Sequence, residues 1–511
     1  MQNFINRKTM LVHFTMAFIL VFTLSLTACG GGVQVQSDVA AIETDPSTTI
    51  PQDEATPDTE NTTPDPQNTA PASQVIKLPA SSTLKSICSK PRSNPPEIYG
   101  TLEDEKAYLR SFTDETYLWY KEVPAVDPAR HTDPQKYFDV LKTSRKTASG
   151  RPVDEFHWSV SEDSFNQQTA GIERGYGITW ARAKNSPPRD WVVAIVEPEG
   201  PGRVLQRGDK LKSVDGEDFA NGNAAKLNAG LFPEDATPHT FEFIRNNQVI
   251  EYTLTPQTIS TTPVRYTRVV DTPTGKVAYI YFDEHIAKAE SLLIDAINTV
   301  KTQGATDLVL DMRYNGGGLL SIASQLAYMI GGNNTGNRTF YKLVNNDKRS
   351  AEDYPYPFET TSTSGNSLPT LNLKKVTILA GYRTASASEA VINGLRGVDV
   401  DVALIGETTR GKPYGFYPQA NCGWVYYSVQ FKEANAKGYG DYADGFAPTC
   451  TVKDDFSQAL GDKLEARFAA ALYYRQTRTC PPATGLAAGL RSVGEVNYTV
   501  SPNPAKFLMI P

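Results

Sequence analysis

Residues 276–320 read KVAYIYFDEHIAKAESLLIDAINTVKTQGATDLVLDMRYNGGGLL, and this stretch decides the fold. "KVAYIYF" and "DLVLDMRY" are near-continuous apolar runs of strand length. Between them Leu292, Leu293, Ala296, Ile297 and Val300 recur at helical spacing, and Gly304 ends the run. The alternation continues with a helix from "LLSIASQLAYMI", a strand "VTILA", a helix from about 387 to 396 and a strand "VALIGE". Apolar strands alternating with helices predict an α/β layer buried on both faces.

Three loops follow buried strands, at the strand ends where sites assemble in such layers. They are Asn315-Gly316-Gly317-Gly318, Thr384-Ala385-Ser386-Ala387-Ser388-Glu389, and "GETTRGKPYG" with Lys412. Ser386-x-x-Glu389 fits a helix capping box. Periodicity does not separate the two serines: Ser388 leads one apolar stripe (Val391, Ile392, Leu395) and Ala387 another (Ala390, Val391, Gly394). A serine at that helix start would lie beside free N–H groups and the positive end of the dipole, which favour an oxyanion. A nucleophilic serine needs a base. None of the five histidines lies in the three loops, and His285 alone falls in the α/β part. Lys412 can serve if burial keeps it neutral. The glycines lack the spacing of a phosphate loop but suit one arm of an oxyanion hole.

Upstream, residues 86–165 read as helical. Leu102, Tyr108, Leu109, Phe112, Tyr117, Leu118 and Tyr120 lie at roughly helical spacing, and Asp133-Pro134 opens a second helix. Residues 171–257 break into short β-rich runs separated by turns: "YGITWARA", "WVVAIVEP", "DKLKSVDG" and "TFEFIRNNQVIEYTLTP". "GPGRVLQRGDKLKSVDGEDF", about thirty residues after "GYGI", resembles a PDZ domain of the peptidase type. The resemblance implies a loop at Tyr176, Gly177 and Ile178 that captures a peptide carboxyl terminus, with the peptide added as a strand.

The first residues are a targeting segment. Arg7 and Lys8 precede an apolar stretch, Met10 to Leu26, too short for a typical span. Leu26-Thr27-Ala28-Cys29 resembles the bacterial lipobox, which implies cleavage before Cys29, its lipidation, and the periplasmic face of the outer membrane. Residues 29–85 read as a tether, because 30–80 hold almost no large apolar residues. Removing the two positive charges of residues 1–29 and the eight negative ones of 30–76 from the net −7 leaves −1 for 77–511. Nothing there predicts nucleic-acid binding. Cys88, Cys422, Cys450 and Cys480 remain for disulfides in an exported chain. Cys422 and Cys450 flank one local segment, so the expected pairs are Cys422–Cys450 and Cys88–Cys480. With no CxxC and no histidine at ligand spacing, neither a metal nor another cofactor is expected.

Together the loops resemble the carboxyl-terminal processing, or tail-specific, serine peptidases. "LVLDMRYNGGGLL" is similar to that family's oxyanion loop, "TASASEA" to its nucleophile motif and "GETTRGKPYG" to its lysine motif. The resemblance covers about residues 100–415. It implies Ser386 as nucleophile, Lys412 as general base, the N–H groups of Gly317 and Ala387 as oxyanion donors, and Ser388 and Glu389 as supports. The implied architecture is a crotonase/ClpP-like α/β core over 261–480 with an inserted PDZ domain (166–260), a helical N-terminal domain (86–165) and an extension at 481–511. Many members carry Gln four residues after the lysine; here it is Phe416. Orientation of Lys412 must then come from elsewhere, or activity is reduced. The Ser386–Lys412 spacing of 26 is about one residue longer than the family pattern. The leading expectation is a lipid-anchored endopeptidase that binds protein carboxyl termini. The rivals are a peptidase-like PDZ adaptor, which the missing Gln favours, and a Ser–Lys hydrolase of non-peptide esters or amides.

Overall fold

The computed structural model describes residues 78–482 and 498–500 and the backbone of 509–510. The signal, Cys29 and most of the tether lie outside them.

In the N-terminal region, α1 (Leu102–Thr116) starts at Thr101, which forms a reciprocal capping box with Asp104. α1 ends before Tyr117, whose hydroxyl donates to Asp154 at 2.6 Å, so Tyr117 and Leu118 extend the apolar pattern from the following turn rather than the helix. α2 (Pro134–Asp139) is capped by Asp133. The region is not purely helical: Trp158–Ser161 pairs antiparallel with Trp424–Tyr427.

The β-rich runs form as read: β1 (Ile178–Lys184), β2 (Asp190–Val196), β3 (Lys210–Val214), β4 (His239–Arg245) and β5 (Gln248–Leu254). They lie antiparallel in the order β5-β4-β3-β2-β1. Asp215 and Gly216, both at positive φ, make the two-residue turn after β3. Phe241, Phe243, Trp180, Trp191 and Leu211 form the core of this sheet, covered by α3 (Ala224–Leu231).

The α/β layer has six strands: β6 (Val264–Thr272), β7 (Gly275–Phe282), β8 (Asp307–Asp311), β9 (Lys375–Ala380), β10 (Asp401–Gly406) and β11 (Cys450–Thr451), adjacent in that order. All pairs are parallel except the β6–β7 hairpin. One face is covered by α4 (Ala289–Thr302), α5 (Leu320–Gly331) and α6 (Ala387–Gly397). The other meets α7 (Ala466–Thr477) and residues of β1 and β2. Burial on both faces explains the unbroken apolar runs. On α4, Leu293, Ala296, Ile297 and Val300 are buried, while Leu292 is only half-buried at the stripe's edge.

The cysteine pairing differs from the expected one. Cys88 bonds Cys422 and Cys450 bonds Cys480, with Cα–Cα distances of 5.4 and 5.5 Å. Cys422 sits in the turn of the hairpin Gln419–Asn421/Trp424–Tyr427, which Trp158–Ser161 and the Ser86 N–H, donating to Asn421 Oδ1 at 2.7 Å, hold on the N-terminal region. Cys450 instead starts β11 in the main sheet, where the chain leaving α7 returns. Closeness in sequence was overruled by the two different sheets that hold Cys422 and Cys450.

Candidate active site

The loops after β8, β9 and β10 are stitched together by buried hydrogen bonds. After β8, Arg313 is fully buried and bonds Asp311, Asp454 and Glu465 at 2.7 to 3.1 Å. Beyond it Asn315 donates to Phe282 O at 3.1 Å and accepts the Gly317 N–H at 2.9 Å. Asn315 Oδ1 lies 3.0 Å from His285 Nδ1. The His285 backbone brackets the glycines, giving its N–H to Gly317 O and accepting that of Leu319. Burial pushes the imidazole down to about 3, so His285 is neutral and anchors the glycine loop.

After β9, Ser388 Oγ and Ala385 N–H both donate to Asn315 O, at 3.0 and 3.1 Å. Gly317 has φ +100 and packs on the nucleophile turn: a Cβ there would come within 2.8 Å of Ser386 Cβ and 2.9 Å of Ala387 N. Both halves of the capping box at Ser386 are in place, but only one is a full hydrogen bond. The Ser386 N–H donates to Glu389 Oε2 at 3.0 Å, but Oγ, fully buried, has no hydrogen-bond partner. Ser386 holds φ 59° and ψ −122°, a strained conformation for a residue with a side chain, of the kind concentrated at functional sites.

After β10, Gly411 N–H and Lys412 N–H donate to Glu389 Oε1 and Oε2 at 2.7 and 2.8 Å, and Thr409 Oγ1 also donates to Oε1. One carboxylate therefore joins the serine turn to the lysine turn. Burial pushes the Glu389 carboxyl up, against the pull of these four donors. Lys412 is fully buried, and desolvation lowers it well below its usual value despite Asp154 and Glu389. Its Nζ lies 4.1 Å from the ring centre of Phe416 and 5.0 Å from that of Phe156.

The structure thus brings Gly317, Ser386, Ala387 and Lys412 into one cluster. Gly317 differs from expectation in one respect: its N–H is already given to Asn315 Oδ1, so it is not an available oxyanion donor in this conformation. Tyr176, Gly177 and Ile178 belong to the other sheet. Tyr176 is buried with its hydroxyl on Gly230 O at 2.8 Å, Gly177 turns at φ +69, and Ile178 opens β1. Sequence reasoning missed the roles of Asn315, His285, Phe156 and Phe416. The S-x-x-E pattern pointed to Glu389, but only as a cap. No group of three or more candidate metal ligands occurs among the described residues.

Comparison with known proteins is consistent with this arrangement. The peptidase family S41 model matches residues 276–419, and the peptidase S41 N-terminal domain model matches 104–160. The carboxyl-terminal-processing protease of Picosynechococcus sp. is 28% identical over 254 residues, 49% of this chain and 56% of that protein. Carboxyl-terminal-processing peptidase 2, chloroplastic, of Arabidopsis thaliana is 25% identical over 323 residues, 60% of this chain and 58% of that protein. The chain thus spans a little over half the length of these curated relatives. An S41 protease structure from Bacteroides fragilis has the same fold, with a TM-score of 0.60, 23% identity, and coverage of 75% of this chain and 99% of that one. Both S41 models are thus matched, one of them across all three site loops, and around these loops the chain is similar to carboxyl-terminal-processing proteases.

Proposed function

We propose that the protein is a serine endopeptidase working through Ser386 and Lys412. The observation that carries this is the Glu389 carboxylate, which fixes a strained, unpartnered serine hydroxyl and a desolvated lysine on one support. Ser386 Oγ attacks a peptide carbonyl carbon while neutral Lys412 accepts its proton. The tetrahedral oxyanion is held by the Ala387 N–H, the first amide of α6, and by a glycine-loop amide. We assign the second donor to Gly318 rather than Gly317. The Gly317 carbonyl and Leu319 amide both turn to His285, so the Gly318 amide between them points the opposite way. Lys412 then protonates the leaving amine, and water attacks the acyl-enzyme with Lys412 again as base, restoring Ser386.

The substrate would be the carboxyl-terminal part of an unfolded or exported protein, docked by the loop at Tyr176–Ile178 acting as a PDZ carboxylate loop. Export with anchoring through Cys29 at the outer membrane agrees with two disulfides formed by all four remaining cysteines. The test is proteolysis of an unstructured protein by wild type and single variants. Ser386→Ala and Lys412→Ala should abolish cleavage and Ser388→Ala should largely keep it. A wild type that binds carboxyl-terminal peptides but cleaves nothing would establish an adaptor instead.

A further inference from the structure

Two short strands from the last part of the sequence lie on surfaces a peptide substrate would use. Thr499–Val500 pairs antiparallel with β1, opposite Arg182 and Ala181, and forms the outer edge of that sheet. β1 is the strand that follows the Tyr176–Gly177 loop. The contact is specific: Tyr498 Oη donates to Asp190 Oδ1 at 2.8 Å, its ring meets Phe456 edge-on, and Val500 is buried against Ala181 and Val192 in the core cluster there. The second strand, Met509–Ile510, pairs parallel with Gly318–Leu319. That pairing lies immediately after Gly317, which packs on Ser386. The same strand packs against Tyr414–Gly415, two residues after Lys412. An extended piece of this chain therefore runs between the glycine loop and the lysine turn.

We propose that the strands Thr499–Val500 and Met509–Ile510 are intramolecular ligands of the peptide-binding cleft, added at β1 and at Gly318–Leu319 respectively, and that they compete with protein substrates. The inference rests on reading Ser386 and Lys412 as a peptidase site. Strand addition reads backbone more than side chains, so a site that pairs varied peptides also pairs a strand of its own chain. Tethering supplies a local concentration on the order of 1 mM, so even a segment that binds at about 0.1 mM lowers access of substrate about tenfold.

The experiment compares the full chain with Met509→Pro/Ile510→Pro, which removes two backbone donors from the strand and leaves residues 498–500 intact. Both are also made with Ser386→Ala, and a fluorescent peptide of residues 498–511 is titrated onto those inactive forms. The peptide should bind the proline form about tenfold more tightly, because the cleft there is no longer occupied in cis. In the Ser386 forms, kcat/KM on an unstructured protein should rise about tenfold through KM, and the added peptide should restore inhibition. Binding that differs without any proteolysis would sink the peptidase reading and keep this one. Ser386-dependent proteolysis with unchanged kcat/KM, and no peptide binding to either inactive form, overturns the inference. Truncation after Pro482 is a second variant, expected to behave as the proline form does.

Discussion

Phe416 stands where the family pattern carries Gln, and its ring lies 4.1 Å from Lys412 Nζ. It acts on the lysine in two opposed ways. As a fully buried apolar wall it keeps water away, which disfavours the ammonium. As an aromatic face it attracts that same ammonium, by roughly 0.5–2 kcal/mol. Desolvation is the largest influence on Lys412, so the wall wins in the native protein. Two substitutions separate the effects. Phe416→Leu keeps the wall and removes the ring attraction. At about 1.36 kcal/mol per pH unit, the lysine should titrate roughly 0.4–1.5 units lower still. Phe416→Ala opens space for water beside Nζ and should move the titration up by about one unit or more. In the proposed mechanism the active base is the neutral amine, so kcat/KM rises with pH through the Lys412 titration. The leucine variant should reach its plateau at lower pH than wild type and the alanine variant at higher pH. On the acid limb, each unit of upward shift costs about tenfold in rate, recovered at high pH. The assay is kcat/KM against pH on an unstructured substrate, at temperatures where both variants are folded. Phe416→Ala is expected to lose about 3–5 kcal/mol of stability and Phe416→Leu under about 1.5 kcal/mol. Midpoints that move in the same direction, or not at all, would refute the assignment of Lys412 as base or of Phe416 as its wall.

Glu389→Gln puts an amide NH2 where all four neighbours are donors. It should lower the thermal midpoint and cut kcat about 10²-fold with little change in KM, since what is lost is alignment. Arg313→Met strips a shared partner from buried Asp311 and Glu465 and part-buried Asp454 and should cost about 3–5 kcal/mol in denaturant unfolding. Removing Cys88–Cys422, which closes a 334-residue separation, should lower the melting temperature more than removing Cys450–Cys480, which closes one of 30. The chain-entropy ceilings are about 6 and about 4 kcal/mol.

The main sheet was legible because its strands are buried on both faces, and burial writes itself as unbroken apolar runs such as Val277–Phe282 and Leu308–Leu310. The two serines were not separable for the same reason. Every residue of α6 except Arg396 is buried, so no stripe has a polar face to contrast with. The short strands at Tyr414–Gly415, Gln419–Asn421 and Trp424–Tyr427 left no such signal. They are two to four residues long, and the strand that fixes Trp424–Tyr427 on the N-terminal region, Trp158–Ser161, lies far away in sequence. The disulfides failed with them, since Cys422 rides on that hairpin. Phe156 reaches Lys412 from the N-terminal region, a contact no spacing rule contains.

Energy rather than pattern separates the reading of Ser386 as a plain helix cap from the proposed reading of it as a nucleophile. A serine whose only task was to cap α6 would accept the Glu389 N–H on its Oγ in full hydrogen-bond geometry and gain about 1 kcal/mol. Here the hydroxyl is buried without a partner, which costs about 1–3 kcal/mol. Its backbone is held at φ 59°, ψ −122°, for about another 1–3 kcal/mol. A capping residue free to relax would give up both costs. It cannot relax because its own N–H is bound by Glu389, whose oxygens are also bound by Gly411 and Lys412, and because Gly317 presses on its Cβ. The groups that prevent relaxation are the ones a Ser–Lys mechanism needs nearby. The capping pattern and the proposed Ser–Lys pattern are thus one set of residues, and Lys412, 26 positions downstream, is the part that local sequence could not supply.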